Sequence, residues 1–322
     1  MKHSIISMIL LLAWCGTVYA APVEISTQNQ LLNVRNNLAG DYIQTADIVL
    51  SGEWDPIGGG GSGGGIFTGS YDGQNYTISN LTINRSATND VGLFGHVGQG
   101  AVIQNVRLEN VDVKGARGVG SLIGRVTGNN QTLIMRCYAA PAAVDPVGTV
   151  VGFNGATGGL VGSHNSVQET PGGENNPVIS QCYANINVSL ADPPNDGAGL
   201  DKWGGLAGCS QKGTILDSYA RGSVTVNNTG AQRVGGLVGC NELRGRILRS
   251  YSTGEVNSNG TLVGGLLGNI ESSGGNRGVV LDSFWDENAY SGDNNLGTKK
   301  TTAQMQSINT YTDTTTDGLD TP

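Results

Sequence analysis

The sequence predicts an all-β protein, a β-solenoid of about six to seven coils with a short N-terminal capping helix. Three observations predict it. Glycine supplies 52 of 322 residues, about twice its usual ~7% share, and each helix-interior glycine costs about 1 kcal/mol relative to alanine. One glycine-rich hexapeptide recurs six times, and a second, apolar–aromatic signature interleaves with it. A repeat of short β-branched segments separated by Gly, Asn and Ser turns describes stacked coils. A β-sandwich would not require the same hexapeptide six times, and the lack of a three-residue glycine period excludes collagen.

At the N-terminus, Lys2 and His3 precede an apolar run from Ile5 to Trp14, and Val18-Tyr-Ala20 offers small residues for cleavage. This is the pattern of a Sec signal peptide over residues 1–20. Its apolar run falls short of the ~20 residues a membrane span needs. Trp14 before Cys15 is unsuited to a lipoprotein signal. Without the signal the chain carries 17 basic against 26 acidic residues, a charge of −9. An acidic chain without a basic run is not expected to bind nucleic acid or anionic lipid. No later segment is apolar enough to span a membrane. The expected location is extracellular or at a cell surface, with the periplasm as the alternative.

Residues 21–56 read as the cap and first strands. Thr27 is the predicted N-cap of a helix from Gln28 to Leu38, with Leu31, Leu32, Val34 and Leu38 on its apolar side and Gly40 as its stop. Residues 57–65 read as a flexible Gly-rich loop. Residues 66–290 hold the repeats, and 291–322 an exit segment and disordered tail.

The hexapeptides are Val91-Gly-Leu-Phe-Gly95 (one residue short), Val119-Gly-Ser-Leu-Ile-Gly124, Thr157-Gly-Gly-Leu-Val-Gly162, Trp203-Gly-Gly-Leu-Ala-Gly208, Val234-Gly-Gly-Leu-Val-Gly239 and Val263-Gly-Gly-Leu-Leu-Gly268. Their last glycines are 29, 38, 46, 31 and 29 residues apart. The short spacings set the unit, and the long ones mark insertions near 131–158 and 163–203. The second signature reads Val102-Ile-Gln-Asn-Val106, Ile134-Met-Arg-Cys-Tyr138, Ile179-Ser-Gln-Cys-Tyr183, Ile215-Leu-Asp-Ser-Tyr219, Ile247-Leu-Arg-Ser-Tyr251 and Val280-Leu-Asp-Ser-Phe284.

These residues, with the closing Ser283-Phe-Trp-Asp286, resemble the GLUG-motif repeats of bacterial exported proteins. Trp54-Asp-Pro-Ile-Gly58, Phe67-Thr-Gly-Ser-Tyr-Asp-Gly-Gln-Asn-Tyr-Thr-Ile78 and Lys300-Thr-Thr-Ala-Gln-Met305 are similar to the lead-in and exit of such repeats. The resemblance covers roughly residues 24–306. It implies a right-handed β-solenoid of the kind found in surface adhesins, filamentous-haemagglutinin-like proteins and non-catalytic parts of some secreted peptidases.

Aligned units place equivalent residues about 4.8 Å apart in columns. Tyr138, Tyr183, Tyr219, Tyr251 and Phe284 form an aromatic column, expected to stabilise the core rather than to carry sugar. Cys137 with Cys182, and Cys209 with Cys240, share columns and are candidate inter-coil disulfides. The alternative is a reduced small-residue ladder continued by Ser218, Ser250 and Ser283. Arg136, Gln181, Asp217, Arg249 and Asp282 form a column in which Asp217, Arg249 and Asp282 alternate in charge and pair.

No catalytic residues are assigned. His96 and His164 sit in different units without metal-ligand spacing and read as turn or surface residues. No GxSxG elbow or phosphate loop is present. Asp192-Pro-Pro-Asn-Asp-Gly197 begins like a calcium loop but has Pro194 at a ligand position and no twelfth-position glutamate. Asp282, Asp286, Glu287 and Asp293 form a looser acidic group. No cofactor is expected; calcium is the ion these stretches could suit, and a turn-rich acidic loop is preferred. The insertions are the expected recognition elements, with Asp201, Lys202 and Trp203 as candidate recognition residues. The expected function is that of a non-enzymatic surface or matrix adhesin-type or structural protein with an extracellular glycan or protein partner. The alternative is a polysaccharide lyase or hydrolase using carboxylates such as Asp217 and Asp282, about 9.6 Å apart by two coil steps.

Overall fold

A computed structural model describes residues 20–61, 64–128, 132–142, 148–166, 176–191, 201–227, 232–270, 277–307 and 309–312. Residues 1–19 of the expected signal peptide and the Asp192–Gly197 stretch lie outside the described residues, as do 131, 143–147, 167–175 and 192–200 of the two insertions. Every strand pairing is parallel and joins one coil to the next, so the described chain is a β-solenoid. Among the described residues no helix is long and apolar enough to cross a membrane.

Five sheets run along the stack. Sheet 1 has nine strands, from Val23–Ile25 to Val279–Leu281. Sheet 2 also has nine, from Ile48–Val49 to Thr298–Lys300. Sheet 3 has six, from Thr82–Arg85 to Val256–Ser258. Sheet 4 has four, from Ala156–Gly158 to Leu262–Gly264, and sheet 5 six, from Phe94–Gly98 to Leu267–Ile270. A full coil passes through sheets 1 to 5 in that order.

Both signatures feed the core. Ile103, Ile134, Ile179, Ile215 and Ile247 are fully buried in sheet 1, and Leu93, Leu122, Leu160, Leu206, Leu237 and Leu266 of the hexapeptides fill the opposite side. Each contributes about 1.5–3 kcal/mol of apolar burial. The second hexapeptide glycine is dictated by close approach. A methyl group at Gly205 would collide with the Gly236 carbonyl oxygen and lie 2.8 Å from the Ala220 Cβ.

The chain turns from sheet 1 to sheet 2 on a single left-handed residue. Asn105, Arg136, Gln181, Asp217, Arg249 and Asp282 all have φ between 46° and 55°. That conformation costs about 1–2 kcal/mol for a residue with a Cβ, and the next side chain offsets it. Ser218, Ser250 and Ser283 each donate a hydroxyl to the carbonyl two residues back, at 2.7–2.8 Å. Each hydroxyl also accepts the backbone N–H of the equivalent residue one coil earlier, at 3.1–3.2 Å. The sequence column is thus a corner bracket, repeated once per coil.

The capping helix spans Gln28–Asn33, with the Thr27 hydroxyl accepting the Gln30 N–H, and Leu31 buried beneath it. It is shorter than the expected run to Leu38. Asn33, Asn36 and Asn37 are weak helix formers, and Val34–Asn36 tightens into a 3-10 turn. The Gly-rich stretch is anchored where it is described: Ile57 donates to Leu93 O, and Gly95 donates to Ile57 O. At the other end, the Thr298–Lys300 strand pairs with Phe284–Asp286. A capping box at Thr301 and Gln304 then starts the short helix Thr302–Met305.

Candidate binding site

The aromatic column corrects the sequence expectation. Its tyrosines do not enter the core: Tyr138, Tyr183, Tyr219 and Tyr251 are half-buried on the outer face of sheet 2. The next residues, Ala139, Ala184, Ala220 and Ser252, point inward and are fully buried. The reason is steric, because the inward position faces the Gly-Gly pairs and admits only a small side chain at Gly205 and Gly236. Phe284, the last member, is 3% exposed.

The four phenol rings stack nearly parallel, with centroids 4.5, 4.8 and 4.9 Å apart. Burial, then the neighbouring Tyr138 and Tyr219, pushes the Tyr183 phenol up to about 12. Inside such a stack each ring face is covered by its neighbour. Arg107 covers the outer face at the Tyr138 end, 5.5 Å from the centroid. At the other end the stack breaks, and Tyr251 meets Tyr311 at 5.6 Å and 50° instead of stacking on a fifth ring. Tyr311 also meets Phe284 edge-on, at 6.0 Å and 83°. The three rings wall a cavity of about 260 Å³, whose rim carries Asp217, Arg249, Ser250 and Asp282. A wider cleft of about 610 Å³ lies over the Val256–Ser258 strand.

Of the charge pairs expected along the column, the one between Arg249 and Asp217 is formed at this rim. Arg249 grips Asp217 with two hydrogen bonds, Nε to Oδ1 at 2.7 Å and a terminal nitrogen to Oδ2 at 3.0 Å. Those bonds, with Asp217 and Asp282 charge nearby, raise the guanidinium further above its ordinary value. Arg136 instead bonds the amides of Asn105 and Gln104, at 2.7 and 3.1 Å.

Sequence reasoning gave Tyr311 no role, leaving it within the exit segment and tail of residues 291–322. The signal available was an isolated aromatic just beyond the Lys300–Met305 exit motif. Its hydroxyl donates to the Met305 carbonyl at 2.8 Å.

The recognition candidates are corrected as well. Trp203 is fully buried among Val188, Val224, Val226 and Val234, its indole N–H donating to Gln232 Oε1 at 2.9 Å. It presents nothing to a partner. Lys202 lies in a sheet 4 strand, paired between Ala156 and Arg233. Asp201 accepts the Gly155 N–H at 2.6 Å, and burial raises its carboxyl. These residues join coils rather than forming an exposed loop.

Of the two cysteine pairs, the structure bridges one. Cys209 and Cys240 form a disulfide across 4.7 Å of Cα separation. Cys137 and Cys182 remain buried thiols because they occupy the bracket column. The Cys137 N–H reaches Cys182 Sγ at 3.4 Å, and each thiol donates to the carbonyl two residues back at 3.2 Å. Burial pushes the Cys137 thiol well up. Among the described residues, Cys209, Cys240 and Glu242 are one close group of metal-ligand type. Two of them are spent in the disulfide, and Glu242 is held by Arg233 and Gln211. In the acidic exit group, the Asp286 carboxylate accepts the Thr302 hydroxyl and Asp293 caps the Asn295 N–H.

Neither histidine is a free surface residue. His164 is completely buried, with Nδ1 3.2 Å from Ser210 Oγ, and burial lowers it to about 3. His96 is half-buried, 2.6 Å from Thr127 Oγ1, and is lowered to about 4 by burial and then by Arg125. The Ser210–His164 contact is sealed from solvent, so it offers no accessible nucleophile.

Known proteins share stretches of this sequence and the form of this fold. The GLUG motif matches residues 230–257. Halomucin of Haloquadratum walsbyi is 32% identical over 182 residues, which are 52% of this chain and 2% of that protein. A protein of Evansella cellulosilytica, named as a candidate Gly-rich membrane protein, is 29% identical over 370 residues, 91% of this chain and 42% of its own length. The chain therefore spans less than half of either curated relative. Among solved structures, a candidate immunoglobulin A1 protease from Bacteroides ovatus superposes with a TM-score of 0.56 at 20% identity, covering 88% of this chain and 85% of that one. A second, named IgA1 protease, gives 0.56 at 21% identity over 81% of this chain and 19% of that one. At these identities the likeness is one of fold alone. The repeated hexapeptide, the parallel coils and the matched segment lead to one statement of kinship: this chain is a β-solenoid that carries the GLUG motif.

Proposed function

We propose that the chain is an exported, non-enzymatic repeat protein of a cell surface or extracellular matrix, acting as scaffold and as a binder of glycan or protein partners. The carrying observation is how the chemically active side chains are used. His164 is sealed in the core, His96 is tied to Thr127, and Asp217 is clamped by Arg249. What faces outward is an ordered surface of stacked tyrosines and paired charges, suited to contact rather than to turnover. The surface setting draws on the signal-like N-terminus and on relatives named as a mucin and a membrane protein. The names of the fold neighbours concern those proteins, and fold does not confer function.

A second reading has one observation in its favour, since Asp217 and Asp282 border the same cavity. In a polysaccharide lyase or hydrolase one of them would move a proton. The bidentate Arg249 clamp opposes that role for Asp217, because both of its carboxylate oxygens already accept from the guanidinium. The test is a glycan and matrix-protein binding screen on the full chain, with cell fractionation and a parallel assay for polysaccharide or peptide cleavage. Binding without product, in an exported fraction, supports the reading. Turnover abolished by Asp217→Ala or Asp282→Ala overturns it.

A further inference from the structure

We infer that the cavity at the broken end of the tyrosine stack is a carbohydrate subsite, in which one uncharged pyranose ring packs against the wall of Tyr251, Phe284 and Tyr311 with its hydroxyls on the Asp217–Arg249–Asp282 rim. The inference rests on the binding-protein reading above and gives that reading a site and a ligand class.

Three observations converge on it. The first is access to a ring face. A sugar stacks on the face of an aromatic ring, and within the column each face is already covered at 4.5–4.9 Å. Arg107 covers the Tyr138 end. Among the described rings the stack ends at Tyr251, where Tyr311 packs tilted at 50° instead of face to face and the cavity adjoins both rings.

The second is size. The cavity holds about 260 Å³, below the roughly 300–1,000 Å³ of pockets for drug-sized ligands and suited to a single sugar ring.

The third is the chemistry of the rim. A carboxylate has about four acceptor positions, so Asp217 can hold Arg249 and still accept a hydroxyl. The guanidinium has five donors and gives two to Asp217. Donors and acceptors side by side match vicinal hydroxyls, which both give and take hydrogen bonds.

The test uses the full chain and a panel of methyl pyranosides (gluco, galacto, manno and N-acetylglucosamine), read by saturation-transfer NMR and tyrosine fluorescence titration. Tyr311→Ala removes one wall from outside the coils. Tyr138→Ala alters the far end of the stack as a control, and circular dichroism melts verify both folds. The expected result is binding of at least one pyranoside, weakened about tenfold in Tyr311→Ala and retained in Tyr138→Ala. Equal binding by wild type and Tyr311→Ala overturns the site, as does competition by tetramethylammonium. If a glycan array binds the chain and Tyr311→Ala leaves that binding intact, the subsite fails while the binding-protein reading stands. Failure to bind any glycan or matrix protein removes both.

Discussion

Acidification should destabilise the stack through one buried imidazole. His164 is fully buried, packed against Gly213, and lowered from 6.5 to about 3, mainly by burial. Its neutral form is the one the fold accepts, so stability is complete above 6.5 and is lost as pH falls from there towards 3. At 1.36 kcal/mol per unit, the full window is worth about 5 kcal/mol. Between pH 7.5 and 5.0 the unfolded chain gains most of one proton that the folded chain refuses, a loss of about 2 kcal/mol. Most carboxylates are still ionised there, which isolates the histidines. His96 adds a smaller slope because it is partly solvated. Urea denaturation at pH 7.5, 6.0 and 5.0 measures the drop, and His164→Gln should remove most of it. An identical drop in wild type and variant would refute the reasoning. So would an NMR titration in which the His164 ring protonates near 6.5 in the folded chain.

Three further outcomes follow from the packing. Native mass analysis of the chain from residue 21 onwards should find one disulfide and two thiols that alkylate only after denaturation, and Cys209→Ala with Cys240→Ala should cost about 3–4 kcal/mol for a closure of 31 residues. Ser250→Ala strips the Ser218 N–H of its acceptor and should cost about 1–3 kcal/mol in denaturant. Ser250→Cys should be nearly neutral, since Cys137 and Cys182 already serve in that column. Gly205→Ala forces a methyl group into the Gly236 carbonyl and should lower stability by about 1–3 kcal/mol or more, seen as a reduced melting temperature.

The columns were legible in the sequence because a solenoid converts period into register. Cys209 opposite Cys240, Tyr183 opposite Tyr219 and Arg249 between the aspartates could all be aligned from the repeats alone. Side-chain direction was harder to read. Strands of two or three residues give too little alternation to fix parity, and each left-handed corner resets it. The tyrosines therefore looked like core, and Trp203 and His164 looked accessible. One clue lay in the small residue after each tyrosine, at Ala139, Ala184, Ala220 and Ser252, which marks the inward position. Tyr311 escaped because it belongs to no repeat, and its place depends on contacts with Met305, Tyr251 and Phe284 that no period encodes.

The Cys209–Cys240 bridge has a mechanical meaning for a molecule pulled along its long axis. Coils bound only by hydrogen bonds peel away singly, each interface yielding in its turn. The covalent link excludes one interface from that sequence. Rupture of an anchored chain would begin elsewhere and halt at this pair, leaving two adjoining coils joined while the rest unravels. A reductant in the surroundings would remove that stop and lengthen the reach of the stretched chain.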